Sequence, residues 1–290
     1  MHMKTAEAVT RPALFANWYP EDLSEVARYL PKPKHRSRSP VTFAIAPHSG
    51  WEYSGKVAGS VYAAFPKFDT AIFIGSNHRG LGPPVSLFAS GAWEMPAGYV
   101  EIDEDFCKDF LGASRNIQAD VSAHMREHAV EVQVPFVQYL NPRARIVPVE
   151  VRDSHWEACQ ELGEALAAAL YRQIKKDPKK TFCVIGSTDM THCGARYGQE
   201  PEGGLSPEEF ARRQDSLAIE KILNLDTAGF LDTVENLEIS MCGPGTAAVV
   251  MAAAIEFGVK KAHLTAYSTS CENSEGDSDS CVGFGGIVIE

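Results

Sequence analysis

A chain of 290 residues with 44% hydrophobic and 22% charged residues can bury a large core, and this composition excludes disordered, collagen-like and small disulfide-framework classes. Its formal charge of -11, from 27 Lys and Arg against 38 Asp and Glu, repels phosphate backbones and anionic lipid, so neither nucleic acid nor a membrane surface is an expected partner. The start, Met1-His2-Met3-Lys4-Thr5, has no apolar signal region and no stretch nears about 18 apolar residues in a row, so a cytoplasmic protein is expected.

Taken along the chain, residues 32–38 form a short basic run bracketed by prolines, which reads as a solvated linker. The first strand signal, Val41–Ala46, runs directly into Pro47-His48-Ser49-Gly50, and the second, residues 70–74, into Gly75-Ser76-Asn77-His78. Residues 123–133 place His124, Glu127, His128 and Glu131 at i, i+3, i+4 and i+7, the spacing of one helical face. Such a face suits a wet active-site helix or a plain solvated one, and it lacks the HExxH pattern of a zinc protease.

Arg145–Val151 reads as a strand, residues 157–175 as a helix rich in Ala, Leu and Glu, and residues 181–185 as another strand leading into Gly186-Ser187-Thr188-Asp189-Met190-Thr191-His192. A flexible connector at 199–204 precedes a helix at 207–223. Met241-Cys242-Gly243-Pro244 leads into an Ala-rich helix at 245–257 with Gly258 as its C-cap. Strands at 263–268 and 283–289 enclose an acidic loop at 270–280. Short strands alternating with helices predict an α/β fold, a single domain with a central, mostly parallel sheet flanked by helices.

Several candidate ligands follow a strand directly, and the carboxyl edge of a parallel sheet is where loops converge on a ligand. His48, His78, Asp189 and His192 are expected at that edge. Cys242 precedes a helix, whose positive end favours a thiolate, so it reads as a metal ligand or as a nucleophile. Two imidazoles and one anionic ligand leave open positions on a borderline metal. The seven cysteines include no CxxC pair and read as reduced thiols.

Asn17-Trp18-Tyr19-Pro20, the run from Pro47 to Gly55, Gly75-Ser76-Asn77-His78, the run from Glu127 to Phe136, Ser187-Thr188-Asp189-Met190-Thr191-His192 and Cys242-Gly243-Pro244 together resemble the Memo family. The resemblance covers about residues 11–290, leaving 1–10 as an N-terminal extension of one Memo-like domain. In bacteria and archaea this family is also called AmmeMemoRadiSam system protein B. It is similar in fold to the class III extradiol, or LigB-like, dioxygenases, which implies a mononuclear non-haem iron site. By that resemblance His48 and His78 match the histidine ligands, Cys242 stands where the dioxygenases carry glutamate, and His192 matches an acid/base histidine. Asp189 would orient His192 or add a ligand, and His128 or His124 would be a second acid/base group.

Thiolate in place of carboxylate favours softer metals, so copper joins Fe(II) as a candidate cofactor. Three functions stay open at this point: a redox-active, dioxygenase-like metal protein, a non-catalytic metal- or peptide-binding signalling protein, and a metal-free Cys–His hydrolase using Cys242 and His192. Trp18, Trp51 and Tyr53 are expected to form an aromatic rim for a small molecule, aromatic ones included, or for a peptide. Oligomeric state is not encoded in any of these signals.

Overall fold

The computed structural model describes residues 9–33, 36–152, 154–273 and 279–290. The basic run at 32–38 and the acidic loop at 270–280 therefore fall partly outside the described residues.

The strands are β1 (Val9–Arg11), β2 (Val41–Ala46), β3 (Thr70–Ser76), β4 (Val85–Leu87), β5 (Gly91–Met95), β6 (Gly98–Glu101), β7 (Ile117–Ala119), β8 (Arg145–Val151), β9 (Phe182–Ser187), β10 (His192–Gly194), β11 (Ala262–Thr269) and β12 (Ser280–Ile289). The helices are α1 (Leu23–Val26), α2 (Trp51–Ala64), α3 (Glu104–Leu111), α4 (Val134–Leu140), α5 (Trp156–Lys176), α6 (Pro207–Leu223), α7 (Thr227–Asn236), α8 (Pro244–Glu256) and α9 (Ser270–Asn273).

The main sheet runs β10-β12-β2-β9-β3-β8-β4-β7, with β11 also paired to β12. Its centre, β2-β9-β3-β8, is parallel, and the near-continuous apolar runs of these strands are what a sheet covered on both faces requires. Within this sheet, among the described residues, the parallel pairing predicted from the sequence is confined to this centre and to the β4–β7 pair, and the sheet as a whole is mixed. The long β12 runs antiparallel to β2, β10 and β11, and β4 runs antiparallel to β8. A second, three-stranded sheet, β1-β5-β6, incorporates Val9–Arg11, so the segment expected as an extension already belongs to the fold at Val9.

α8 packs on β2, β3 and β9 and in turn against α5, while α2 packs on β2, β11 and β12. α8 is apolar nearly all round and buried along most of its length, as its position between sheet and α5 demands. Gly163 lets the two helices meet, because a Cβ there would sit 2.6 Å from that of Ala252. α6 starts with a capping box, Ser206 with Glu209, and a proline in its first turn. One continuous hydrophobic cluster reaches from Tyr19 to Ile289. Among the described residues, no helix is long and apolar enough to cross a membrane.

The helix expected at 123–133 is absent. Residues 122–126 and 129–130 form turns on either side of an irregular Glu127-His128, and only Glu131–Gln133 makes a 3-10 helix, running into α4. The reason is local competition for backbone donors: the Glu127 carboxylate accepts the N–H groups of His128 and Ala129, at 2.7 and 3.1 Å, in place of a helical ladder.

Candidate metal centre

β2, β9 and β3 are parallel neighbours, so the loops leaving their carboxyl ends start side by side, with Ala46 and Gly75 both paired to Ser187. The first loop carries His48, the third His78, and the middle one Asp189 and His192.

His48 is 1% exposed, and its backbone N–H donates to Asp189 Oδ1 at 2.8 Å. Its ring Nδ1 lies 3.3 Å from Ser187 Oγ. Ser187 donates its hydroxyl proton to the Ala129 carbonyl at 2.6 Å and accepts from Gln133 Nε2 at 2.9 Å, so toward His48 the hydroxyl oxygen can only accept. Nδ1 therefore carries the ring proton and Nε2 the lone pair. Among the described residues Nε2 is buried with no hydrogen-bond partner. Burial lowers the His48 pKa to about 3, with Asp189 acting in the opposite direction, which keeps the ring in its neutral, ligating form.

His78 and His128 are held by one carboxylate. His78 donates Nδ1–H to Glu127 Oε1 at 2.8 Å and its backbone N–H to Oε2 at 2.8 Å, while His128 Nδ1 lies 3.1 Å from Oε1. Burial works against ionisation of Glu127, but the hydrogen bonds from His128 and His78 outweigh it and hold the carboxyl far below its usual range. The two rings stack with centroids 4.7 Å apart, and His48 stands edge-on to both, at 5.0 and 5.1 Å. With each Nδ1 occupied, each Nε2 is left for a ligand, the carboxylate–histidine arrangement that orients metal-binding imidazoles.

Two donor sets result. His48, His78 and His128 each offer a ligand atom within 4.8 Å of the others, and so do His48, Asp189 and Cys242. His48 belongs to both. Cys242 is thus grouped with His48 and Asp189 and not, as expected, with His48 and His78, while His128, expected in proton transfer, joins the histidine set.

Cys242 lies before Gly243, the N-cap of α8, and its backbone N–H donates to the Asp189 carbonyl at 3.3 Å. Against the lowering expected from the helix end, burial, then the Asp189 charge, push the thiol well above its usual range. Sγ is 3.5 Å from His192 Nε2. His192 directs Nδ1–H at the carbonyls of Met190, at 2.9 Å, and Ser240, at 3.2 Å, so its Nε2 accepts from the thiol. Asp189 therefore does not orient the His192 ring. It is 2% exposed and instead accepts from the His48 backbone and from Ser49 Oγ, at 2.5 Å, fixing the loop that carries His48.

The aromatic rim contracts. Trp51 is 3% exposed, stacks on Phe136 at 3.9 Å and donates Nε1–H to the Val132 carbonyl, which makes it mainly a core residue. Trp18 and Tyr53 line a cleft of about 810 Å³, to whose wall Trp51 adds little surface. Trp18 packs on His128 at 4.9 Å and Tyr197, also in the cleft wall, on His192 at 5.0 Å, so the cleft adjoins both donor sets.

Ser187, Gln133 and Arg11 had no assigned role in the sequence reading. Glu131, left undecided there, is fully buried: it accepts from Arg11 at 2.7 Å, from Tyr19 Oη at 2.8 Å and from the backbone of Leu14 and Phe15, and so anchors the segment bearing Trp18. A lone arginine 120 positions earlier gives no sequence signal of this pairing.

Residues 11–288 match the family model described as Memo-like protein. The MEMO1 family protein of Pyrobaculum aerophilum is 37% identical over 248 residues, covering 84% of this chain and 82% of that one. That of Sulfurisphaera tokodaii is 37% identical over 256 residues, covering 87% and 84%. That of Methanopyrus kandleri is 32% identical over 297 residues, covering 96% and 98%. On this evidence the chain belongs to the Memo family.

Proposed function

We propose that this protein holds one mononuclear non-haem metal ion, Fe(II) or copper, and uses it for dioxygenase-like redox chemistry on a small molecule. The observation that carries the reading is His48 Nε2. It is a buried lone pair with no hydrogen-bond partner among the described residues, in a ring whose neighbours His78 and His128 also have their Nδ1 atoms engaged elsewhere. Burying an unpaired acceptor costs about 1–3 kcal/mol, which a bound cation offsets. The residues present thus fit a borderline metal.

The ligand set we favour is His48, His78 and Cys242. The support for Cys242 is that its proton has a destination: His192 Nε2, at 3.5 Å, would take it if the thiol served as a ligand. His192 is in this reading the proton carrier, Asp189 secures the His48 loop, and Trp18 and Tyr53 line the route by which a ligand reaches the centre. The compact histidine set favours a variant of the same reading, with His128 as third donor. When bound, iron or copper supplies one-electron redox chemistry and an open position for a small molecule.

Anaerobic titration should show about one Fe(II) or Cu(I) per chain. Binding that persists in the His48→Ala, His78→Ala double variant would overturn the proposal. Comparing Cys242→Ser with His128→Ala identifies the third donor as the one whose loss weakens binding about tenfold or more. Oxygen consumption by the Fe(II) form, offered catechols, then separates redox turnover from metal binding without turnover.

The Cys242–His192 contact also favours a second reading, a thiol hydrolase with His192 as base. It leaves His48, His78 and His128 without a task. Ester hydrolysis that survives chelation and is lost in Cys242→Ser would support it.

A further inference from the structure

Near Glu127 lies a second buried carboxyl, close enough to feel its charge, that the metal reading leaves unused. Glu150, on β8, and His124 are both 0% exposed, and Glu150 Oε1 is 3.9 Å from His124 Nδ1. Among the described residues neither carboxylate oxygen has a hydrogen-bond partner, and neither ring nitrogen makes a hydrogen bond of ordinary geometry, although the Ser86 backbone lies close enough to favour the protonated ring. The walls are mostly apolar or already committed, the exception being the buried Nε1–H of Trp93, which has no hydrogen-bond partner among the described residues. Phe88 and Trp93 stand edge-on to the imidazole, at 5.6 and 6.2 Å, and Val130 and the bare backbone of Gly75 face the carboxyl. A Cβ on Gly75 would lie 2.6 Å from Glu150 Oε2, so the glycine makes room for the carboxyl. Ser86, opposite Glu150 in register, directs its hydroxyl at Asp120.

The charged groups around the pair are Arg11, Glu127 and Asp120. Arg11 donates to the carbonyls of His124 and Glu127, both at 2.7 Å, and to Glu131. Burial, then the Glu127 charge, raise the Glu150 carboxyl well above its usual range, with Arg11 opposing. Burial, then Arg11, lower His124 to about 3, with Ser86, Asp120 and Glu127 opposing. A neutral acid and a neutral imidazole are complementary, each with one donor and one acceptor. Their separation exceeds a direct O–H···N bond by about 1 Å, a gap that a carboxyl rotation or one internal water closes.

We propose that Glu150 and His124 form a buried proton-holding pair that answers charge at the histidine centre, with the proton on Glu150 when the centre is empty and released when a cation binds there. Solvent takes that proton, since burial and Arg11 leave His124 a weak base. The link runs through Glu127, whose negative charge keeps the proton on Glu150 and is offset when a cation joins His78. The response to the cation rests on the metal reading above; the stored proton does not.

Infrared spectra of the ion-free protein at about pH 8, above the range where Asp215 titrates, should show the carbonyl band of a protonated carboxyl. The band should shift on labelling with 13C-glutamate and be absent in Glu150→Gln. Zn(II), a redox-inert probe, should then abolish the band on binding and release about one proton more from the wild type than from Glu150→Gln. Any proton lost by Cys242 is common to both proteins and cancels. Absence of the band in the ion-free protein overturns the stored proton, and the isotope shift makes that result independent of whether the variant folds. A band and proton count unchanged by bound Zn(II) overturn the coupling alone. Failure of Zn(II) to bind overturns the metal reading and the coupling together, while the ion-free band still decides the stored proton.

Discussion

The hydroxyl of Ser187 fixes the tautomer of His48: with its own proton on Ala129 and an amide from Gln133 on its oxygen, it can only accept from His48 Nδ1. A strand residue with no ligand role thus sets which nitrogen of the central imidazole is free. Ser187→Ala should keep the fold yet weaken metal binding about 10- to 100-fold, the usual effect of losing a partner behind a ligand. Calorimetric titration with Zn(II) measures it, and an affinity within threefold or so of wild type would refute the tautomer argument.

The Arg11–Glu131 pair has both side chains at 0% exposure, where removing one partner strands the other charge. Glu131→Gln should cost about 3–5 kcal/mol in urea unfolding, and Arg11→Met combined with Glu131→Leu should recover part of it. A loss below about 1 kcal/mol in the single variant would mean that the charge is compensated elsewhere.

Asp215 offers a pH test clear of the metal ligands. Burial raises its pKa to about 6, against hydrogen bonds from Thr191 and Tyr267. A carboxyl raised in the folded state stabilises below its unfolded pKa, and that stability is lost as pH rises through the folded one. Between about pH 4 and 6 the wild type should therefore lose about 1.4 kcal/mol per pH unit relative to Asp215→Asn. Parallel stability curves for the two proteins would contradict the shift.

Gly163→Ala should destabilise by about 1–3 kcal/mol, because the added methyl meets Ala252 and the α8 backbone where the two helices touch. Metal affinity should be unchanged, since α5 supplies no donor. Denaturation and Zn(II) titration on the same sample check both halves.

What could be read from the sequence follows from where the signal is stored. His48, His78, Asp189 and His192 stood out because each follows an apolar run; β2 ends where its run ends, while β3 and β9 continue two residues further, to Ser76 and Ser187. The helix-flanked α/β architecture was legible for the same reason. Glu127 was visible as a polar residue but misplaced on a helix, since its true partners include His78, 49 positions away. Ser187, Gln133 and Glu150 are single polar residues inside buried elements, where periodicity says nothing about hydrogen-bond partners. The direction in which burial moves the Cys242 thiol could not be read from its place before α8, because helix position is local, whereas burial is a property of the whole fold.

The order of strands at the centre has a consequence for how the protein is made. β9 lies between β2 and β3, yet it leaves the ribosome more than a hundred residues after both. While the nascent chain holds only His48 and His78, no sheet joins the strands that carry them, and Ser187 and Asp189 do not yet exist. The candidate ion site is therefore assembled by a late insertion, long in sequence separation and slow for that reason. A cation cannot template the early steps, and metal retention by translation-arrested chains should appear only once β9 has emerged and paired.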